Sequence, residues 1–95
     1  MNCKNLIFSG HAVQRLFARG IAKSEIRALA EKGEIIREYP DDLPYPSKLI
    51  LGFVDGRPIH LVVGYNESEQ TCIVITVYEP NRDVWREDFK EKRTP

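Results

Sequence analysis

Two periods of hydrophobic residues divide this chain. From Ser9 to Gly33 apolar residues return every three or four positions, and from Glu34 to Tyr78 they alternate or run together. In SGHAVQRLFARG, Ser9 is suited to cap and Gly20 to end a helix over 10–19. At about 100° per residue, Ala12, Val13, Leu16 and Phe17 share one arc, and His11, Gln14, Arg15, Ala18 and Arg19 fill the other. A second helix over 22–32 would bury Ala22, Ile26, Leu29 and Ala30. Ile21 and Ile26 would staple its start, Glu25 would bond back to the backbone there, and Gly33 would end it.

Beyond Gly33, EIIREY reads as a short strand, and PDDLPYP, with its prolines at 40, 44 and 46, as a loop. KLILGFVDGRPIHLVVGY is a hairpin turning on Asp55-Gly56 in a type I′ turn. A two-residue loop sets Val54 against Arg57, Gly52 against Ile59, Leu51 against His60 and Lys48 against Val63. After NESEQ, TCIVITVYEP forms a fourth strand. Simple alternation puts Cys72, Val74, Thr76 and Tyr78 on one face and Ile73, Ile75 and Val77 on the other. The all-aliphatic set is expected beneath Leu16, Phe17, Ile26 and Leu29. The tail NRDVWREDFKEKRTP forms a short terminal helix in this reading, with Trp85 and Phe89 one turn apart. The expected architecture is a single α+β domain over 1–95. Two N-terminal helices pack on one face of a four-stranded antiparallel sheet, followed by that short C-terminal helix.

Composition narrows the function classes. Fourteen Lys plus Arg balance fourteen Asp plus Glu, so no global field draws the chain to nucleic acid or anionic lipid, and such binding would need local patches. Cys3 and Cys72 lie far apart with no CxxC spacing, which excludes zinc ribbons and thioredoxin-like sites and suits a reducing compartment. The apolar run Leu6–Phe8 is too short for a signal-peptide core or a membrane span, so a cytoplasmic protein without membrane contact is expected. No GxGxxG, P-loop, HExxH or GxSxG occurs, so no cofactor or metal is expected.

His11, Arg15 and Arg19 recur every four residues along the polar arc of the first helix. A histidine beside arginines suits metal-free RNA cleavage, which needs a base for the ribose 2′-hydroxyl and cations for the phosphorane charge. The plainer reading is a solvated helix edge. Thr76 and Tyr78 would face the open side of the sheet, where a tyrosine can stack on a base or donate a proton, although both are also ordinary strand residues. His60 depends on register. A five-residue loop pairs Tyr65 with Thr71 and puts His60 beside Thr76 and Tyr78; a four-residue loop pairs Asn66 with Thr71 and puts it among the aliphatic set. Lys48, Arg37 and Arg57 suit phosphate contacts and equally suit guarding strand edges. REDFKEKR mixes charges at helical spacing, as a solvated face or a partner contact would.

HAVQRLFARGI, the helix ending KGEII and the strand ITVYEP together resemble the small bacterial domain-of-unknown-function family 4258. Its members open with His-x3-Arg-x3-Arg-Gly and finish on a strand carrying Thr-x-Tyr. One departure is Ala22, where the family commonly has a capping Ser or Thr. The resemblance implies a place near the RelE- and BrnT-like toxins, with a two-helix-plus-sheet fold and metal-free RNA cleavage. On that basis His11, Arg15 and Tyr78 are the catalytic candidates, and Arg19, His60, Thr76 and Lys48 the substrate-binding ones. The expected partners are RNA and an antitoxin-like protein. The competing expectation is a non-catalytic interaction module that binds a protein through its exposed sheet or its Trp85 tail. Zero net charge favours the module; the placement of the motifs favours the ribonuclease.

Overall fold

The computed structural model of the chain describes residues 3–94. Its elements run β1 (Asn5–Phe8), α1 (Gly10–Arg19), α2 (Lys23–Lys32), β2 (Glu34–Tyr39), β3 (Ser47–Val54), β4 (Arg57–Asn66) and β5 (Thr71–Tyr78). The local signals explain most of these boundaries. Ser9 accepts the Ala12 N–H, and Gly20 ends α1 at φ 66° with its N–H on the Leu16 and Phe17 carbonyls. Glu25 Oε1 accepts the Ala22 N–H at 2.9 Å, which supports α2 where Ala22 has no capping oxygen. Asp55 and Gly56 turn the hairpin at φ 50° and 78°, and its register sets Val54 against Arg57 and Leu51 against His60.

The sheet departs from the four-stranded antiparallel expectation. It has five strands in the order β1-β5-β4-β3-β2, and β1 pairs parallel with β5, so the sheet is mixed. The extra strand is the run Asn5–Phe8, which pairs with Thr71–Val74. Four residues carry too little alternation to be recognised alone, and their partner lies at the far end of the chain. The tail is not a helix either. It folds as turns closed by a bridge between Trp85 and Lys92, and both Trp85 and Phe89 are buried.

The core lies between the helices and one sheet face. Ala12, Leu16, Ile26, Leu29 and Ala30 meet Ile50, Ile59, Leu61, Val63, Cys72, Val74 and Val77. The two helices pack on separate strands, α1 on β5 and α2 on β3 and β4. Leu29 sits so close over Gly52 that a Cβ there would run into its methyl group. Phe17, expected in this core, is 90% exposed, because α1 packs on β5 through Ala12 and Leu16 and turns its Val13/Phe17 side outward. Ile75, also expected there, is exposed as well, and a β-bulge is the reason. Val63 pairs with Val74 but Val62 pairs with Thr76, so Ile75 has no partner and the alternation slips by one. Cys72, Val74 and Val77 therefore face the helices, while Thr76 and Tyr78 keep to the other face.

The bulge also resolves the position of His60. The loop has the four-residue register, with Asn66 against Thr71, yet His60 ends opposite Tyr78 on the face away from the helices. The four-residue register holds only at the loop end, and beyond the bulge the pairing matches neither expected register. Only the face that the five-residue loop gave His60, shared with Thr76 and Tyr78, is the one it occupies.

Cys3 and Cys72 form a disulfide, with Cα atoms 5.5 Å apart. The pairing departs from the expectation of two separate thiols in a reducing compartment, and parallel β1 is what carries Cys3 to Cys72. Among the described residues no helix is long and apolar enough to cross a membrane.

Candidate functional site

Ser9 builds the first part of the site. Its N–H donates to the Val74 carbonyl at 3.0 Å and its hydroxyl to the Ile75 carbonyl at 2.8 Å. β1 ends at Phe8, so these bonds fasten the start of α1 to the β5 edge just where the bulge turns the Ile75 carbonyl outward. His11, in the first turn, then hangs over that edge. Its ring is exposed, and Nε2 lies 3.0 Å from Thr76 Oγ1. Thr76 belongs to the sheet face opposite the helices, so His11 reaches around the margin of the sheet.

Thr76 ends a rung that crosses four strands. Arg37 pairs with Leu49, Leu49 with Val62 and Val62 with Thr76. Register partners share a face, so an exposed arginine and the His11–Thr76 pair stand at opposite ends of one line, about 14 Å apart by strand spacing. The floor between them is apolar.

The second part of the site is buried. His60 is fully enclosed, with its ring edge-on to Trp85 at 4.4 Å and to Tyr78 at 5.2 Å. Nε2 lies 2.7 Å from the Phe89 carbonyl, which can only accept, so Nε2 carries the proton. Burial pushes the imidazole pKa below its ordinary value, with the Phe89 bond acting in the opposite direction. The neutral ring therefore offers Nδ1 as acceptor, and the Tyr78 hydroxyl, 3.2 Å away, donates to it. Burial first, and then the Tyr39 hydroxyl, raises the Tyr78 pKa.

The other candidates divide. Arg15 is exposed one turn beyond His11. Arg19 is half-buried; its Nε is enclosed without a hydrogen-bond partner, and its carbonyl accepts from Arg57 at 3.5 Å. Lys48 pairs with Glu38 at 3.6 Å across β2 and β3. The fold thus unites His11 with Thr76, and His60 with Tyr78, and leaves Lys48 in a cross-strand ion pair. Among the described residues no group of three or more His, Cys, Asp and Glu side chains is placed to hold a metal ion.

A family model described as Domain of unknown function (DUF4258) matches residues 8–79, well over half the chain. The chain belongs to the DUF4258 family. No curated protein and no solved structure matches it. The DUF4258 match takes in His11, Arg15, Thr76 and Tyr78 but stops before the tail that covers His60.

That tail is what reading the residues missed. Asn81–Arg93 crosses the second sheet face as a strap. The Arg86 N–H bonds to the Glu91 carbonyl at 2.8 Å and the Arg93 N–H to the Val84 carbonyl at 2.7 Å. Two aromatics within a highly charged segment are the signal that it docks on a surface rather than standing in solvent.

Proposed function

We propose that this protein is a toxin-like, metal-independent ribonuclease in which His11 is the general base. His11 takes the proton from a ribose 2′-hydroxyl. The 2′ oxygen then attacks the adjacent phosphorus, the bond to the 5′ oxygen breaks, that oxygen takes a proton from water, and the hydroxide so formed takes back the proton held by His11. The products are a 2′,3′-cyclic phosphate and a 5′-hydroxyl end. Arg15, one turn along the same exposed edge, stabilises the charge gathering on the phosphorane. Arg19 reinforces it from the last turn of α1. Thr76 orients the His11 ring through its hydroxyl.

The observation that carries this reading is the His11–Thr76 contact at the end of a rung whose other end is Arg37. It supports a base held at the margin of a surface long enough to take more than one nucleotide. Tyr78 enters as a wall of that surface rather than as an acid, because its proton is committed to His60. The test is RNA cleavage by the purified protein in EDTA, with a translation readout in an expression host. Wild type should cleave and His11→Ala should not; cleavage that survives in the variant would sink the assignment.

A second reading, a non-catalytic module that binds a protein partner, is favoured by Phe17, whose ring is 90% exposed on α1. The contact surface in that reading is α1, since Trp85 is buried. An antitoxin-like protein covering α1 would serve either reading.

A further inference from the structure

A groove of about 520 Å³ opens between the strap and the second sheet face, lined by Arg37, Tyr39, Tyr78, Trp85, Arg86 and Lys92. We infer that it binds a single-stranded stretch of RNA, with phosphates on the three cations and a base stacked on Tyr39. The inference takes its RNA from the ribonuclease reading, and it names the part of the molecule that holds the substrate away from His11.

Charge is the first support. The chain is neutral overall, yet the groove carries Arg37, Arg86 and Lys92 against one acid, Glu91. Among the described residues none of these three cations is in a salt bridge, whereas Lys48 and Lys90 pair with Glu38 and Glu34. A neutral protein binds a polyanion only through such a local excess. Aromatic surface is the second support. Tyr39 is 42% exposed at the mouth of the groove, which leaves part of its ring free as a platform for a base. Lys92 Nζ lies over the Trp85 ring at 5.7 Å, which holds its charge at the rim.

Position supplies the third support. Arg37 begins the rung that ends at Thr76, beneath His11. Tyr78 lies on the same face as Thr76, two residues further along β5, and also lines the groove. The Arg37–Thr76 rung, with Leu49 buried and Val62 part-exposed along it, is therefore the line by which an extended strand seated on Arg37 and Tyr39 reaches the base. A duplex keeps its bases paired and stacked, out of reach of the Tyr39 ring, so single strands are the expected ligand.

The test measures fluorescence anisotropy of a short labelled single-stranded RNA with the full chain. It compares wild type, His11→Ala, Arg37→Ala, Arg86→Ala, Lys92→Ala and Tyr39→Leu, with the same RNA as a duplex alongside. His11→Ala should bind like wild type. Tyr39→Leu should bind about tenfold more weakly. The three groove cations should contribute about −2 to the slope of wild-type log affinity against log salt, and each cation variant should flatten it by about 0.7. Thermal melts establish that the variants are folded, which their exposed positions favour. RNA cleavage by wild type with undiminished binding in the groove variants would overturn the groove and leave the ribonuclease reading standing. Groove-dependent binding without cleavage would do the reverse. Failure of wild type to bind, or preference for the duplex, overturns the inference.

Discussion

His11 Nε2 lies 3.0 Å from Thr76 Oγ1, although 65 residues of chain separate them. The contact exists because Ser9 is bonded at the β5 bulge, to the Val74 carbonyl before it and the Ile75 carbonyl within it. Those bonds set the first turn of α1 at the sheet margin. If the contact orients a general base, His11→Ala should lower RNA cleavage by about 10²–10⁴-fold. Thr76→Val should lower kcat by less, leaving KM near wild type, because the ring remains but is no longer held. Both residues are at least partly exposed, so melting temperatures should barely move. Equal kcat in Thr76→Val and wild type would show the contact to be incidental.

The chain is held differently from what its cysteine spacing suggested, and that too is testable. The Cys3–Cys72 bridge closes a sequence separation of 69 residues. On the chain-entropy account, such a loop stabilises the fold by about 4 kcal/mol. For a domain of this size, reduction should lower the melting temperature by well over about 10 °C. Cys3→Ser should reproduce the loss and make the protein indifferent to reductant. A wild-type melting temperature unchanged by dithiothreitol would remove the bridge from the account of stability.

Much of the fold was legible because its signals are local. Ser9, Gly20 and Gly33 bound the helices, and Asp55-Gly56 set the hairpin register, each through its own backbone chemistry. β1 was not legible. A four-residue parallel strand is defined by its partner 66 residues away, Thr71 for Asn5, and not by its own pattern. The Ile75 bulge was hidden for a related reason, since TCIVITVY alternates well enough on its own and the slip exists only against β4. Phe17 misled because amphipathicity marks an apolar arc without saying how wide a neighbour will cover it. In the candidate site, His11 stood out by residue type. Arg37 was legible only as one of several cations suited to phosphate, and its alignment with Thr76 was not, because only the strand order brings β2 into line with β5.

Stability should depend on pH at two ends, through one hydrogen-bonded pair. Folded His60 resists protonation, whereas in the unfolded chain it takes a proton near its ordinary value of 6.5. Below that value the unfolded chain binds more protons, so stability falls as pH drops toward the lower folded pKa. Tyr78 acts in the other direction. Its folded pKa lies above 10.0, so its contribution is complete below that pH and is lost as pH rises through the folded value. Urea midpoints should therefore be highest between these limits. His60→Asn should lower the plateau, by breaking the bonds to Tyr78 and Phe89, and flatten the acid limb. An acid limb of unchanged steepness in that variant would assign it to other groups.

The bulge offers a way to separate fold from site. Ile75 has no partner on β4, and it lies over Gly64 on the face away from the helices. Deleting it would join Val74 directly to Thr76. Alternation would then be unbroken, with Cys72, Val74 and Val77 still toward the helices and Thr76 and Tyr78 still away from them. The core faces are thus preserved, and the deletion variant should fold cooperatively with β4 and β5 paired in regular register. What it loses is the outward Ile75 carbonyl that accepts the Ser9 hydroxyl, and with it the anchor for the first turn of α1. His11 should then leave Thr76. The expected result is a folded protein whose cross-strand NOEs match a regular ladder and whose RNA cleavage falls to the level of His11→Ala. A deletion variant that folds and cleaves like wild type would show that neither the bulge nor the Ser9 tether positions the base.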